Sequence, residues 1–126
     1  MEAYGYRKLK VWDKAMDLVA AVYVATDLMP DTERYGLKSQ MQRCAVSVPS
    51  NIAEGYARNE LGDYLRFLSY ARGSLAELET QLELAVRVKR LDRRHLIEPW
   101  GLAQETGKML TALVLSLRPD TPPASG

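Results

Sequence analysis

Arg87, Lys89, Arg90, Arg93 and Arg94 crowd the stretch RVKRLDRR, where Asp92 is the only acid. The chemistry open to such a cluster is contact with phosphate oxygens, which guanidinium groups grip as a fork, so that binding to RNA or DNA weakens steeply with salt. Five phosphate contacts would give a slope of about −4 in log K against log salt. The same residues also read as a solvated turn, with cations placed favourably at the negative end of the preceding helix. The formal net charge of +1 does not choose between these readings.

The remaining residue types leave little for catalysis. His95 is the single histidine, so paired Glu-x-x-His ligands for a di-iron site are absent, and with Cys44 as the one cysteine there is no zinc cluster. Neither a G-x-x-x-x-G-K-[ST] loop nor a G-x-S-x-G elbow occurs. No metal, cofactor or catalytic residue is expected, and the chain reads as a non-enzyme. Cys44 falls at helical spacing among Met41, Ala45 and Val48, as a small buried residue does, and has no partner for an intrachain disulfide. Glu77, Glu79 and Glu83 fit a charged bundle face. Arg72 and Glu79 interrupt an apolar stripe, however, and buried charges cost several kcal/mol unless paired. Arg72 is therefore expected to reach Glu54 or Glu79 in a structural polar network.

Helices must position these groups. Trp12, Ala15, Met16, Val19, Val22 and Tyr23 recur at three- and four-residue steps and predict a first helix over 10–29, ended by Pro30, with Asp31 or Thr32 capping the next. Its second half, LVAAVYVAT, carries no charge on any side. Either that stretch is simply rich in small residues, or a second subunit covers it. A second helix over 33–58 buries Leu37, Met41, Cys44, Val48 and Ile52, while Gln40, Arg43, Ser47, Asn51, Glu54 and Arg58 form a polar stripe opposite. That stripe is either a solvated face or a polar seam in an assembly. Pro49 lacks the N–H that would bond to Ala45, so a bend is expected there, with Ser47 and Ser50 serving the freed groups.

A third helix, capped by Asn59 and ending near Arg90, carries Leu68, Ala71, Leu75, Leu78 and Leu82 on a wide apolar face. The fourth runs from about Asp92 to Leu117, with Pro99 tolerable only in its first turn. With no strand signal and short turns, the fold class is all-α, an antiparallel up-and-down four-helix bundle whose second helix bends at Pro49. A single domain is expected over 1–118, with a disordered tail, PDTPPASG, over 119–126. No run approaches the roughly 18 apolar residues of a membrane span. The N-terminus has no apolar segment of a secretion signal, so the cytoplasm is the default compartment.

The stretches YGLKSQMQRCAVSVPSNIAEGYAR and DYLRFLSYARGSLAELETQL, with LKVWDKAMDLVAAVYVAT before them and GKMLTALVLSL after, resemble the four-helix bundle proteins encoded by intervening sequences within bacterial 23S ribosomal RNA genes. The resemblance covers residues 6 to 117. It implies an antiparallel bundle, assembly into a barrel-shaped homopentamer, and no known enzymatic activity. A related group, the accessory variability proteins of diversity-generating retroelements, is similar in fold and is thought to bind nucleic acid and a reverse transcriptase. Two departures stand out: Gln42 and Arg43 replace an arginine pair, and Cys44 stands where alanine is common.

Three classes of function follow from these readings. One is a non-enzymatic oligomeric scaffold touching RNA or DNA through Arg87, Lys89, Arg90, Arg93 and Arg94. Another is a protein–protein interaction module, for which the uncharged half of the first helix is the best surface. The third, an enzyme, rests only on Glu54, Arg72 and Glu79.

Overall fold

The computed structural model describes residues 5–119, in which every regular element is helical. A 3-10 turn over Gly5–Lys8 leads into α1 (Lys10–Thr26), followed by α2 (Leu37–Tyr56), α3 (Leu61–Arg87) and α4 (Ile97–Leu117). Further 3-10 turns at Asp31–Glu33 and Arg93–Leu96 lie in the connections that precede α2 and α4. The expected tail lies outside the described residues apart from Pro119.

Cross-helix contacts fix the directions. The Cys44 thiol of α2 donates to the Ser74 carbonyl of α3 at 3.0 Å, whereas Gly55, further along α2, abuts Phe67 and Tyr64, further back on α3. These two helices are therefore antiparallel. Gly107 of α4 packs on Leu75 while Arg93 reaches Glu83 near the turn, which makes α3 and α4 antiparallel as well. Gln42 of α2 bonds to Thr26 at the end of α1, and Lys14 of α1 pairs with Glu105 of α4 at 2.9 Å, so the ring of four neighbours closes.

One apolar cluster runs through all four helices, with Leu18, Val22, Met41, Val48, Ile52 and Leu110 among the residues sealed from solvent. Two buried hydroxyls are satisfied locally: Thr26 donates to the Val22 carbonyl at 2.8 Å and accepts from Gln42 at 2.9 Å, and Thr106 donates to the Leu102 carbonyl at 2.7 Å. Such satisfaction removes the 1–3 kcal/mol that an unpaired buried group costs, on the order of magnitude seen in mutant series. Gly55 sets the α2–α3 spacing, because a Cβ there would sit 2.7 Å from Phe67 Cβ and 3.2 Å from the Tyr64 carbonyl oxygen.

Several expected details differ. The helices are shorter than their apolar patterns suggest, since the chain turns through 3-10 geometry at Asp31–Glu33 before α2 begins. Asp31 and Thr32 therefore do not cap α2; Gly36 holds that position, and the Glu33 carboxylate accepts the Leu37 N–H at 3.3 Å instead. Asn59 does not cap α3 either, whose N-cap is Glu60 with no side-chain bond. Pro99 is the third residue of α4, in the first turn, where helical N–H groups have no partner anyway. Pro49 lies inside α2, which continues through it, and is buried where Val46, Val19 and Met16 also line the seam between α1 and α2. The Ser47 hydroxyl donates to the Cys44 carbonyl at 2.7 Å, one residue short of the carbonyl that Pro49 leaves without its helical donor.

Candidate functional site

The basic turn closes α3. Lys89 has φ 60, and its N–H donates to the Val86 carbonyl at 3.0 Å while the Arg90 N–H donates to the Ala85 carbonyl at 2.8 Å. This is a Schellman C-cap with lysine in the left-handed position that glycine usually fills. The turn is then pinned by acids. Arg90 Nε donates to Glu33 at 2.6 Å, Arg93 forms a two-pronged pair with Glu83 at 3.2 and 3.3 Å, and Arg94 lies 3.4 Å from Asp92. The Arg90 bond, helped by the Leu37 N–H, holds the Glu33 carboxyl below its ordinary value, and the Arg93 bond does the same to Glu83. Three of the five cations are thus engaged within the chain. Arg87 and Lys89 make no ion pair among the described residues.

The expected polar trio is not assembled. Glu54 is exposed and pairs with Arg58 one turn along at 3.1 Å, Arg72 is exposed, and Glu79 is only half-buried. Neither Arg72 nor Glu79 forms an ion pair among the described residues. The reason is geometric: the buried stripe of α3 runs through Leu68, Ala71, Leu75, Leu78 and Leu82, and Arg72 and Glu79 fall just past its edge. They instead line a cleft of about 460 Å³ between α3 and α4, floored by Leu75, Ala76 and Ala103. The network that was the sole basis for an enzymatic reading is therefore absent as a buried group.

Other groups with chemical capacity are quenched. Burial, reinforced by Glu77 nearby, pushes the Cys44 thiol up to about 12. His95 accepts the Asp92 backbone N–H at Nδ1 across 3.2 Å and so works as a cap for the Arg93–Leu96 turn. No group of three or more His, Cys, Asp or Glu suited to a metal ion occurs among the described residues. None of the helices described is long and apolar enough to cross a membrane.

The uncharged half of α1 is only partly core. Leu18, Val22, Ala25 and Thr26 face inward, whereas Met16 is 43% exposed, Tyr23 41% and Val24 69%. Val46 of α2 extends the same patch beside an apolar seam of about 360 Å³ floored by Trp12, Val19 and Pro49. Along the polar stripe of α2, Gln40, Arg43, Glu54 and Arg58 are exposed, while Ser47 and Asn51 are half-buried.

Sequence reading missed the Glu33 pivot, because the apolar pattern places the start of a helix at that residue whereas α2 begins at Leu37. It also missed the arginine-on-aromatic cluster at the α2–α3 end, where the Arg58 and Arg66 guanidiniums lie 4.7 and 5.2 Å from the Phe67 ring centre. The spacing RFLSY, with aromatics one and four residues beyond Arg66, carried the signal.

Comparison with known proteins agrees with this architecture. The family described as 23S rRNA-intervening sequence protein matches residues 7–112. A crystal structure of a protein of unknown function from the S23 ribosomal protein family of Bacteroides thetaiotaomicron superposes with a TM-score of 0.76 at 21% identity, covering 82% of this chain and 97% of that one. No curated protein matches.

Proposed function

From the premise that the chain belongs to the 23S rRNA-intervening sequence protein family, we propose that it is a non-enzymatic, self-associating scaffold of the cytoplasm, assembled as a ring of five copies. The observation that carries the reading is the exposure of Met16, Tyr23 and Val24 on the uncharged half of α1, beside Val46 of α2, on a molecule whose four helices already share one buried core. Patches of that kind mark contact surfaces, because covering the part of each such side chain still in water would gain about 1 kcal/mol. Replacing Met16 and Val24 by glutamate is the test. Both are outside the core, so the variant should keep its helical circular dichroism yet elute from a sizing column as a single chain. An unchanged elution volume would refute the reading.

A second role is supported by Arg87 and Lys89, the two cations of the turn that form no ion pair among the described residues. We propose that they touch the phosphate backbone of RNA or DNA. Two contacts per copy give a slope of about −2 in log K against log salt, and repetition around a ring raises avidity. Anisotropy of labelled RNA and DNA at two salt concentrations tests this. Binding that is insensitive to Arg87→Gln with Lys89→Gln would exclude the turn. A protein partner on the apolar surface is the alternative outcome should the ring fail to form.

A further inference from the structure

The connection between α1 and α2 carries the most exposed aromatic ring among the described residues. Tyr35 is 88% exposed, whereas Tyr23, Tyr56 and Tyr70 lie between 38% and 48%. The Arg34 guanidinium stands 5.9 Å from the centre of the Tyr35 ring, and Arg34 forms no ion pair among the described residues. The arginine-on-aromatic cluster at the opposite end of the bundle differs on both counts. There Phe67 is buried, and Arg58 and Arg66 are held by Glu54 and Asp63.

Although the ring is free, the backbone beneath it is fixed. The Glu33, Arg34 and Gly36 N–H groups donate to the Pro30, Asp31 and Glu33 carbonyls at 2.9, 3.0 and 3.1 Å. Glu33 then divides its carboxylate, one oxygen accepting the Leu37 N–H at 3.3 Å and the other accepting from Arg90 Nε at 2.6 Å. Gly36 leaves room for this, since a Cβ there would lie 3.2 Å from Glu33 Oε2. Tyr35 therefore sits two residues from one end of an ion pair whose other end is one residue from Lys89. The open ring and the basic turn are fastened together at one end of the bundle.

The charges of this end fall into two sets. Lys38 is taken by Asp27, Arg90 by Glu33, Arg93 by Glu83 and Arg94 by Asp92. Arg34, Arg87 and Lys89 form no ion pair among the described residues, and of the acids in the two connections only Asp31 forms none. Unengaged cations beside an open ring suit a single strand of nucleic acid, whose backbone follows the cations while a base stacks on the ring. A duplex offers phosphates to the same cations but keeps its bases stacked on one another, so the ring adds nothing there. We infer that Tyr35 stacks a base of single-stranded RNA or DNA whose neighbouring phosphates are held by Arg34, Arg87 and Lys89. The inference rests on the phosphate contacts proposed above and names the form of nucleic acid they serve. Because every base has a π-face, the choice is for strandedness and not for sequence.

Anisotropy of a labelled oligothymidylate of about 15 nucleotides, and of a duplex of the same length, tests this on the full-length chain. The unaltered protein should bind the single strand about tenfold more tightly than the duplex. Tyr35→Ala should weaken the single strand about tenfold and leave the duplex within about twofold, with the salt slope of both unchanged because no charge is removed. Tyr35→Trp should keep the tight binding, and circular dichroism confirms the fold of each variant. Arg87→Gln with Lys89→Gln should instead weaken both probes and lower both slopes. A Tyr35→Ala chain that binds the single strand as before, or loses the duplex equally, would overturn the stacking and leave the phosphate contacts standing. An unaltered chain that binds neither probe at low salt would overturn both.

Discussion

Replacing Lys89 by glycine separates the structural work of the basic turn from its charge. Lys89 holds φ 60 at the position just past the end of α3, and the two cap bonds of 3.0 and 2.8 Å depend on that left-handed backbone. A residue with a Cβ is strained there by about 1–2 kcal/mol, whereas glycine is not. Glycine gives back part of the gain by loosening the unfolded chain, about 0.4–1 kcal/mol. The net expectation is stabilisation by about 0.5–1 kcal/mol, seen as a higher urea midpoint at unchanged slope. No ion pair is lost, because none of those in the turn involves Lys89. If the turn contacts phosphates, the same variant should bind RNA more weakly and lower the salt slope by about 0.9 per copy. A Lys89→Gly chain that is less stable than the original would refute the strain argument. One that binds RNA with an unchanged slope would remove Lys89 from the contact.

Gly55→Ala should destabilise by about 1–3 kcal/mol in urea unfolding despite the better helix propensity of alanine, because the new Cβ meets Phe67 Cβ at 2.7 Å and a backbone oxygen at 3.2 Å. Gly73→Ala, with nothing within 4 Å of the added carbon, should instead stabilise by about 0.5–1 kcal/mol, and equal effects at the two glycines would count against the close approach of α2 and α3. The Cys44 thiol, pushed up to about 12 by burial, should resist alkylation at pH 8 in the folded chain and react on addition of urea. Glu33 titrates below its ordinary value because Arg90 and the Leu37 N–H hold its charged form, so its contribution is complete above the normal glutamate range and lost as acid protonates it at about pH 4 and below. Glu33→Gln should lower the melting temperature at neutral pH and flatten its acid decline; an unaltered pH profile would contradict the pivot.

Four amphipathic stretches made the bundle legible. Leu37, Met41, Cys44, Val48 and Ile52 lie along the inner side of α2 as their spacing requires, and all but the half-buried Leu37 are buried. The caps were not legible, since Asp31, Thr32 and Asn59 are good capping types whose use depends on where the backbone leaves 3-10 or loop geometry. For Arg72 and Glu79 the difficulty is angular. A residue four positions after Leu68 satisfies the same periodicity as a core residue, yet Ala71 fills the inward site and Arg72 is left at the edge. The cluster from Arg87 to Arg94 was visible as charge, but its neutralisation was not, because Glu33 and Glu83 reach it through space from other parts of the chain. The groove between α3 and α4 depends on two helices at once and leaves no local pattern.

Light scattering on the full-length chain, followed through successive dilutions from about 100 μM, tests self-association most directly. The expected result is a mass near five times the 14.2 kDa of one chain that falls only on strong dilution. A constant 14.2 kDa at every concentration would contradict the scaffold reading and leave the exposed face of α1 without a role in assembly.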